Sequence, residues 1–191
     1  MTAILLTPPA IEPLTLADAK LYLRVAHDDD DDLITSLVAA ARSHVEGRAR
    51  RALITQVWRI TRDAWPPDGR FVLPLAPART VIAARVYDAD SVAHATDTQA
   101  FVVEAGAAPG VIAFSPWFVP APGRAAGGIE LDVSFGYGDA AIDVPAPLIQ
   151  AMRLLLAHWY ENRGVVTADG ANAPMPAGVD ALLAPYRGLT L

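Results

Sequence analysis

Between Leu33 and Val45 apolar residues return every fourth position, with Leu33, Leu37, Ala41 and Val45 in one row and Ile34 and Val38 beside it. That spacing lines one side of an α-helix and predicts about four to five turns ending near Arg51. A shorter helix precedes it. Thr15 stands before Leu16-Ala17-Asp18 as a cap with a carboxylate three residues on, and Leu16, Ala19 and Leu23 share a side through about Arg24. From Ile54 the period falls to two, as Gln56, Trp58, Ile60 and Arg62 alternate with Val57, Arg59, Thr61 and Asp63. This alternation predicts a strand. Further strand-like runs are Phe71 to Leu73, Val81 to Tyr87, Phe101 to Glu104, Val111 to Phe114 and Ile129 to Phe135, separated by turn chemistry such as Pro66-Pro67-Asp68-Gly69 and closed by Gly136 and Gly138.

The period of a helix returns after Val144-Pro145-Ala146-Pro147, where proline fits because first-turn amides have no partner within the helix. Leu148, Met152, Leu155 and Trp159 form its stripe, Ile149, Leu156 and Tyr160 widen it, and Gly164 supplies a stop. Residues 165 to 178, rich in Ala, Gly and Pro, read as a flexible loop. Residues 1 to 14 hold Pro8, Pro9 and Pro13 and read as an extended arm. The expected fold class is α+β: an α-helical bundle of three main helices plus a C-terminal tail, with a large antiparallel β insertion between the second and third helices. Its expected parts are an arm and two helices over 1–53, a β-rich insertion over 54–138, the third helix over 139–164, and a loop with a short apolar C-terminal tail over 165–191.

Composition narrows the function more than the fold. The 191 residues are 53% hydrophobic and 19% charged, too apolar for a disordered chain and long enough to bury a core. The net charge of −6 divides evenly, two negative charges falling in each of 1–53, 54–138 and 139–191. No segment is a basic arm, which argues against sequence-specific duplex binding. Cysteine is absent, so disulfides, thiolate nucleophiles, iron-sulfur clusters and cysteine-bound zinc are all excluded. Met1 to Leu6 carry no positive charge and form too short an apolar run for a signal peptide, and no stretch approaches the roughly 20 apolar residues of a membrane helix. A soluble protein, made in the cytoplasm and used without export, is expected. Arginine outnumbers lysine fourteen to one, which reads as codon bias.

Catalytic and metal signatures are missing. His27, His44, His94 and His158 lie in no ligand spacing, and no Ser-His-Asp order, paired-carboxylate signature or nucleophile elbow stands out. No catalytic residue, metal or cofactor is assigned. Asp28, Asp29, Asp30, Asp31 and Asp32 lack the alternation, glycine and closing glutamate of a calcium loop. They read as carboxylates favoured at a helix start, or as an acidic rim if repeated around an oligomer. Arg48, Arg50 and Arg51 sit where the same dipole favours cations. In Ser115-Pro116-Trp117-Phe118-Val119-Pro120, Trp117 and Phe118 either fold back on their own sheet or act as contact anchors.

Read in order, Pro8-Pro9-Ala10, Pro13-Leu14-Thr15-Leu16-Ala17-Asp18-Ala19-Lys20, Leu23-Arg24-Val25 and the Asp-rich entry to Leu33-Ile34 form one set of pieces. Arg51-Ala52-Leu53-Ile54-Thr55-Gln56-Val57-Trp58, Phe135-Gly136-Tyr137-Gly138, Val144-Pro145, Gln150-Ala151, His158-Trp159-Tyr160-Glu161-Asn162-Arg163 and Leu182-Leu183-Ala184-Pro185-Tyr186-Arg187 complete it. Together they resemble the head-tail connector, or adaptor, proteins of long-tailed bacteriophages, prophages and gene transfer agents. The resemblance spans nearly the whole chain.

It implies a non-enzymatic subunit of a ring, usually of twelve copies, at the virion neck beneath the portal protein. Such a ring joins head to tail and lets double-stranded DNA pass without sequence-specific binding. Its implied partners are the portal, further copies of itself and the next neck ring, a stopper or tail terminator, with no membrane involved. It also implies portal docking through the C-terminal segment, here Leu182, Leu183, Tyr186, Arg187 and Leu189. The alternatives are another virion assembly or tail completion protein that shares the helical half, or a small ligand-binding protein or enzyme.

Overall fold

The computed structural model describes residues 1–162 and 176–187. The chain is mixed α and β and divides into two compact units, one of residues 1–10 and 55–137, the other of residues 11–54 and 138–191.

The helical unit begins with the local chemistry the sequence announces. Helix α1 spans Leu16–Leu23, and the Thr15 hydroxyl oxygen accepts the Asp18 amide at 3.1 Å while donating to the Asp18 carboxylate at 2.6 Å. It ends at Arg24, whose left-handed backbone (φ 59°) lets its amide bond back to Leu21. Helix α2 spans Asp31–Ala49 and buries Ile34, Val38, Ala41, Val45 and Ala49, while Leu33 and Leu37 are only half-buried. The core-facing side thus joins Ile34 and Val38 to the Ala41 and Val45 half of the first row, as a period of 3.6 rather than 4 requires. Glu46 then ties three pieces together. Its carboxylate takes Arg42 Nη1 at 2.9 Å and the Leu53 amide at 2.8 Å, and Arg42 Nε reaches Glu12 at 2.8 Å. The chain entering α1 and the chain leaving α2 are both fastened to α2 by charge-assisted bonds.

Helix α3 spans Ala146–Glu161 and buries Leu148, Ala151, Met152, Leu155 and Leu156; it packs on α1, α2 and α4. Helix α4, Ala177–Leu183, buries Val179 and Leu183 and leads into a short 3-10 turn over Ala184–Tyr186. The expected stop at Gly164 and nearly all of the expected flexible loop, 165–175, lie outside the described residues. Where that loop and the tail fall on 177–186, the chain is helical. Gly138 has a specific role in this unit: a Cβ there would overlap the Asp143 carboxylate, which accepts the Ala140 amide at 3.0 Å.

The β unit holds two antiparallel sheets. Strands β1 (Thr2–Thr7), β2 (Gln56–Arg62), β4 (Ala78–Tyr87), β5 (Ala93–Thr96) and β8 (Ile129–Phe135) form one, in the order β1-β2-β8-β4-β5. Strands β3 (Arg70–Val72), β6 (Phe101–Val103) and β7 (Val111–Phe114) form the other, in the order β3-β7-β6. Register sorts the larger sheet into faces: Ile60, Leu131 and Ala84 sit opposite one another and are buried, whereas Arg59 opposes Asp132 and Arg85 opposes Glu130 on the other face. Trp65 gathers Phe71, Phe101 and Phe114 around it, with ring centroids at 6.2, 5.7 and 4.9 Å.

Two features depart from the sequence reading. Residues 1 to 10 join the β unit, rather than the helices with which the 1–53 boundary groups them, because the uncharged run Thr2–Thr7 pairs with β2. Strand β5 is not among the expected strands because Ala93-His94-Ala95-Thr96 is short and carries no large apolar side chain, and it is held by its ladder to β4.

Candidate interaction surfaces

Three groups of residues stand out as contact surface. The first is the tip of the loop between β7 and β8. Its base is held: the Phe118 amide donates to Ser115 O at 3.0 Å, Trp65 Nε1 donates to Pro120 O at 2.9 Å, and Val119 is buried. From that base Trp117 and Phe118 stand 93% and 81% exposed. The alternative in which they cover their own sheet is therefore not realised; Trp65 does that instead. Two aromatic side chains on a pinned turn give up little rotamer freedom on contact, which is how interface anchors are built.

The second group is the C-terminal segment. Leu182, Tyr186 and Arg187 are half-buried, but Leu183 is wholly buried and serves the core of its own unit. Leu189 lies outside the described residues. Asp180 organises the charged side of this segment by pairing with Arg187 and, at 3.4 Å, with Arg48; the hydrogen bond from Arg187 is the chief cause that holds its carboxyl below the usual carboxylate range. Arg51 Nε donates to Tyr186 O at 3.1 Å. The arginines at the end of α2 thus hold the tail as well as facing the helix dipole.

The third group is the acidic run. Lys20 Nζ lies 2.6 Å from both Asp28 and Asp31, and its hydrogen bond keeps the Asp28 carboxyl below its ordinary value. The Tyr160 hydroxyl donates to Asp30 at 2.6 Å. Asp28, Asp29 and Asp32 remain exposed. The run is partly bound into the loop between α1 and α2 and partly open to solvent.

Sequence reasoning missed a fourth surface. Ile4, Leu5 and Leu6 of edge strand β1 are 53, 41 and 43% exposed. An uncharged apolar run ahead of Pro8-Pro9 was the available signal. Ile142 and Leu21 are exposed as well, Leu21 beside the partly exposed Tyr22.

The histidines are dispersed. His44 packs edge-on against Trp159, His94 lies 2.7 Å from Asp88, His27 lies 3.7 Å from Asp29, and His158 neighbours Asn162. Among the described residues no three metal-ligating side chains converge, and no helix is long and apolar enough to cross a membrane.

The chain is thus a two-unit α+β protein that displays aromatic and aliphatic side chains to solvent. Comparison with known proteins makes this specific. A family model described as phage gp6-like head-tail connector protein matches residues 13–89. A chain from the neck of an empty gene transfer agent (GTA) particle, computed with C6 symmetry, is 30% identical with a TM-score of 0.85; the match covers 100% of this chain and 97% of that one. Chains from the virion of a native GTA particle and from the neck of a native GTA particle computed with C12 symmetry match with the same identity and coverage, at TM-scores of 0.84 and 0.81. No curated protein sequence matches. The chain belongs to the head-tail connector family, a family of structural virion proteins and not of enzymes.

Proposed function

We propose that this chain is the adaptor subunit of a twelve-copy ring in the neck of a gene transfer agent or phage particle, docked beneath the portal and joined below to the next neck ring. The observation that carries the reading is the match along 100% of the chain to neck chains of GTA particles, one of them computed with C12 symmetry. The helices act as the bundle and the β unit as its insertion. The ring surrounds the path of the DNA. A passage that must not hold phosphate is best neutral or negative, and the −6 charge of each copy suits it, with Asp28 to Asp32 as an acidic rim.

Leu182, Tyr186, Arg187 and Leu189 make the portal contact. Leu183 supports that segment from beneath, because its side chain is already committed to the core. Trp117 and Phe118 anchor the contact with a neighbouring neck component. A ring of head-to-tail copies needs two different faces on each subunit, plus surfaces above and below, and these separate groups supply them.

Light scattering, with and without portal, tests the reading. The isolated chain is expected to remain a monomer or weak oligomer, and to add about a dozen copies to each portal ring when portal is supplied. A chain that leaves the portal's mass unchanged at any concentration contradicts the assignment.

A further inference from the structure

We infer that β1 is an exchanged arm: in the assembled ring each copy lays Thr2–Thr7 along the β2 edge of a neighbouring copy, in the register it adopts within a single chain. This rests on the ring proposed above and adds the contact that links its copies.

The chain enters the β unit as β1, leaves it at Ala10, runs through residues 11–54 of the helical unit, and returns only at Thr55. Strand β1 therefore belongs to its sheet by pairing and not through its neighbours in sequence. That pairing is narrow. It has β2 on one side alone, and five of its six residues are exposed. Leu5 opposes Trp58 on one face while Ile4 opposes Arg59 on the other, so large apolar side chains meet water on both faces. Lysine, proline and inward-pointing charge, the usual guards of an open sheet edge, are all missing from Thr2–Thr7. The strand is held by its main-chain ladder, with little side-chain burial added.

The connection favours exchange too. Pro8 and Pro9 follow the strand directly; each fixes its own φ and keeps the residue before it extended. An extended spacer, and no tight turn, joins the strand to the rest of its own chain.

The acceptor is defined by identity. The ladder from Thr2↔Thr61 to Thr7↔Val57 fits the β2 edge of any copy as well as it fits its own. Exchange therefore requires only a changed path for Pro8–Ala10 and creates no new pairing, which is why swapped elements are a low-cost route to oligomers. An arm given to one neighbour and an edge offered to the other make a heterologous contact, the kind that closes into a cyclic ring. In the ring, the body of the donating copy lies beside its own arm and covers Ile4, Leu5 and Leu6.

The test uses the full chain with Thr2→Cys and Thr61→Cys, partners across the ladder in a protein that contains no other cysteine. Cross-strand partners lie within the span of a disulfide. A second pair, Thr7→Cys with Val57→Cys, guards against poor folding of the first. Each variant is kept reduced, assembled on portal, then oxidised and run on a non-reducing gel. The expected result is a covalent ladder extending past dimer from the assembled ring, and a monomer-sized band from the dilute chain. Chains oxidised before portal is added are expected not to assemble until reductant is supplied. Rings that yield only monomer-sized, intrachain-bonded protein overturn the exchange while leaving the connector reading intact. Pre-oxidised chains that assemble normally overturn it as well. Failure of the unaltered chain to form a ring on portal overturns both.

Discussion

Asp132→Ala is expected to cost about 3 kcal/mol of stability, lowering the melting temperature by about 6–12 °C in a circular dichroism melt. Asp132 lies on the central strand β8 and is only 5% exposed. Arg59 grips it through two bonds, Nε at 2.7 Å and Nη2 at 3.0 Å, and Arg85 Nη1 adds a third at 2.8 Å. Removing the carboxylate leaves two guanidinium groups facing one another across the sheet. Glu130, 3.7 Å from Arg59 and 4.0 Å from Arg85, is the remaining counter-charge, and it keeps the loss at the lower end of what breaking a buried pair costs.

The same site sets a pH dependence. Burial works to raise the Asp132 pKa, but the hydrogen bonds and charges of Arg59 and Arg85 overcome it and hold the carboxyl below its ordinary value of 3.8. A lowered folded-state value means the stabilisation is full above that ordinary value and drains away as pH falls through the lowered one. The stability gap between the natural chain and Asp132→Asn is therefore expected to be constant near neutrality and to close below about pH 4. A substitution that changes stability by less than 1 kcal/mol, or a gap that survives in acid, contradicts the charge network as a stabiliser.

Trp117→Ala with Phe118→Ala is expected to separate assembly from stability. Both rings are largely in solvent, so truncation leaves little cavity and is expected to shift stability by no more than about 0.5 kcal/mol. If the rings are the anchors of a neck contact, their loss removes about 2 kcal/mol or more per copy, on the order of a thirtyfold drop in affinity for each contact, and these losses compound over the copies. Binding measured beside a thermal melt decides it. Normal attachment with a large fall in melting temperature contradicts the anchor role and returns the loop to its own sheet.

What the sequence made legible follows the strength of the local signal. Helices α1, α2 and α3 and strands β2, β7 and β8 lie close to where caps, proline and the change of period put them, because each carries its own start signal and a full apolar row. Strand β5 carries no such signal, and β4 starts earlier than expected because Ala78-Arg79-Thr80 is held by pairing with Ser134 and Phe135 rather than by bulk. The arm was legible as extended, but its pairing with β2 is a contact made across some fifty intervening residues, which periodicity does not encode.

The surfaces were legible as chemistry and not as exposure. An aromatic pair fenced by proline fits a buried loop and a displayed one equally well, and only the bonds at Ser115 and Pro120 decide between them. Likewise Leu182 and Leu183 are indistinguishable in sequence, yet a helical step turns one partly outward and the other into the core. Five consecutive aspartates announce charge, but that Lys20 and Tyr160 bind three of them depends on the packing of α1 and α3 beside α2.

The most direct measurement is deletion of the gene in a cell that makes the particles, followed by electron microscopy of what is released. DNA-filled heads that bear portals but lack tails, with tails restored when the gene is supplied in trans, are the expected result. Particles that join tails normally without this chain contradict its role as the connector.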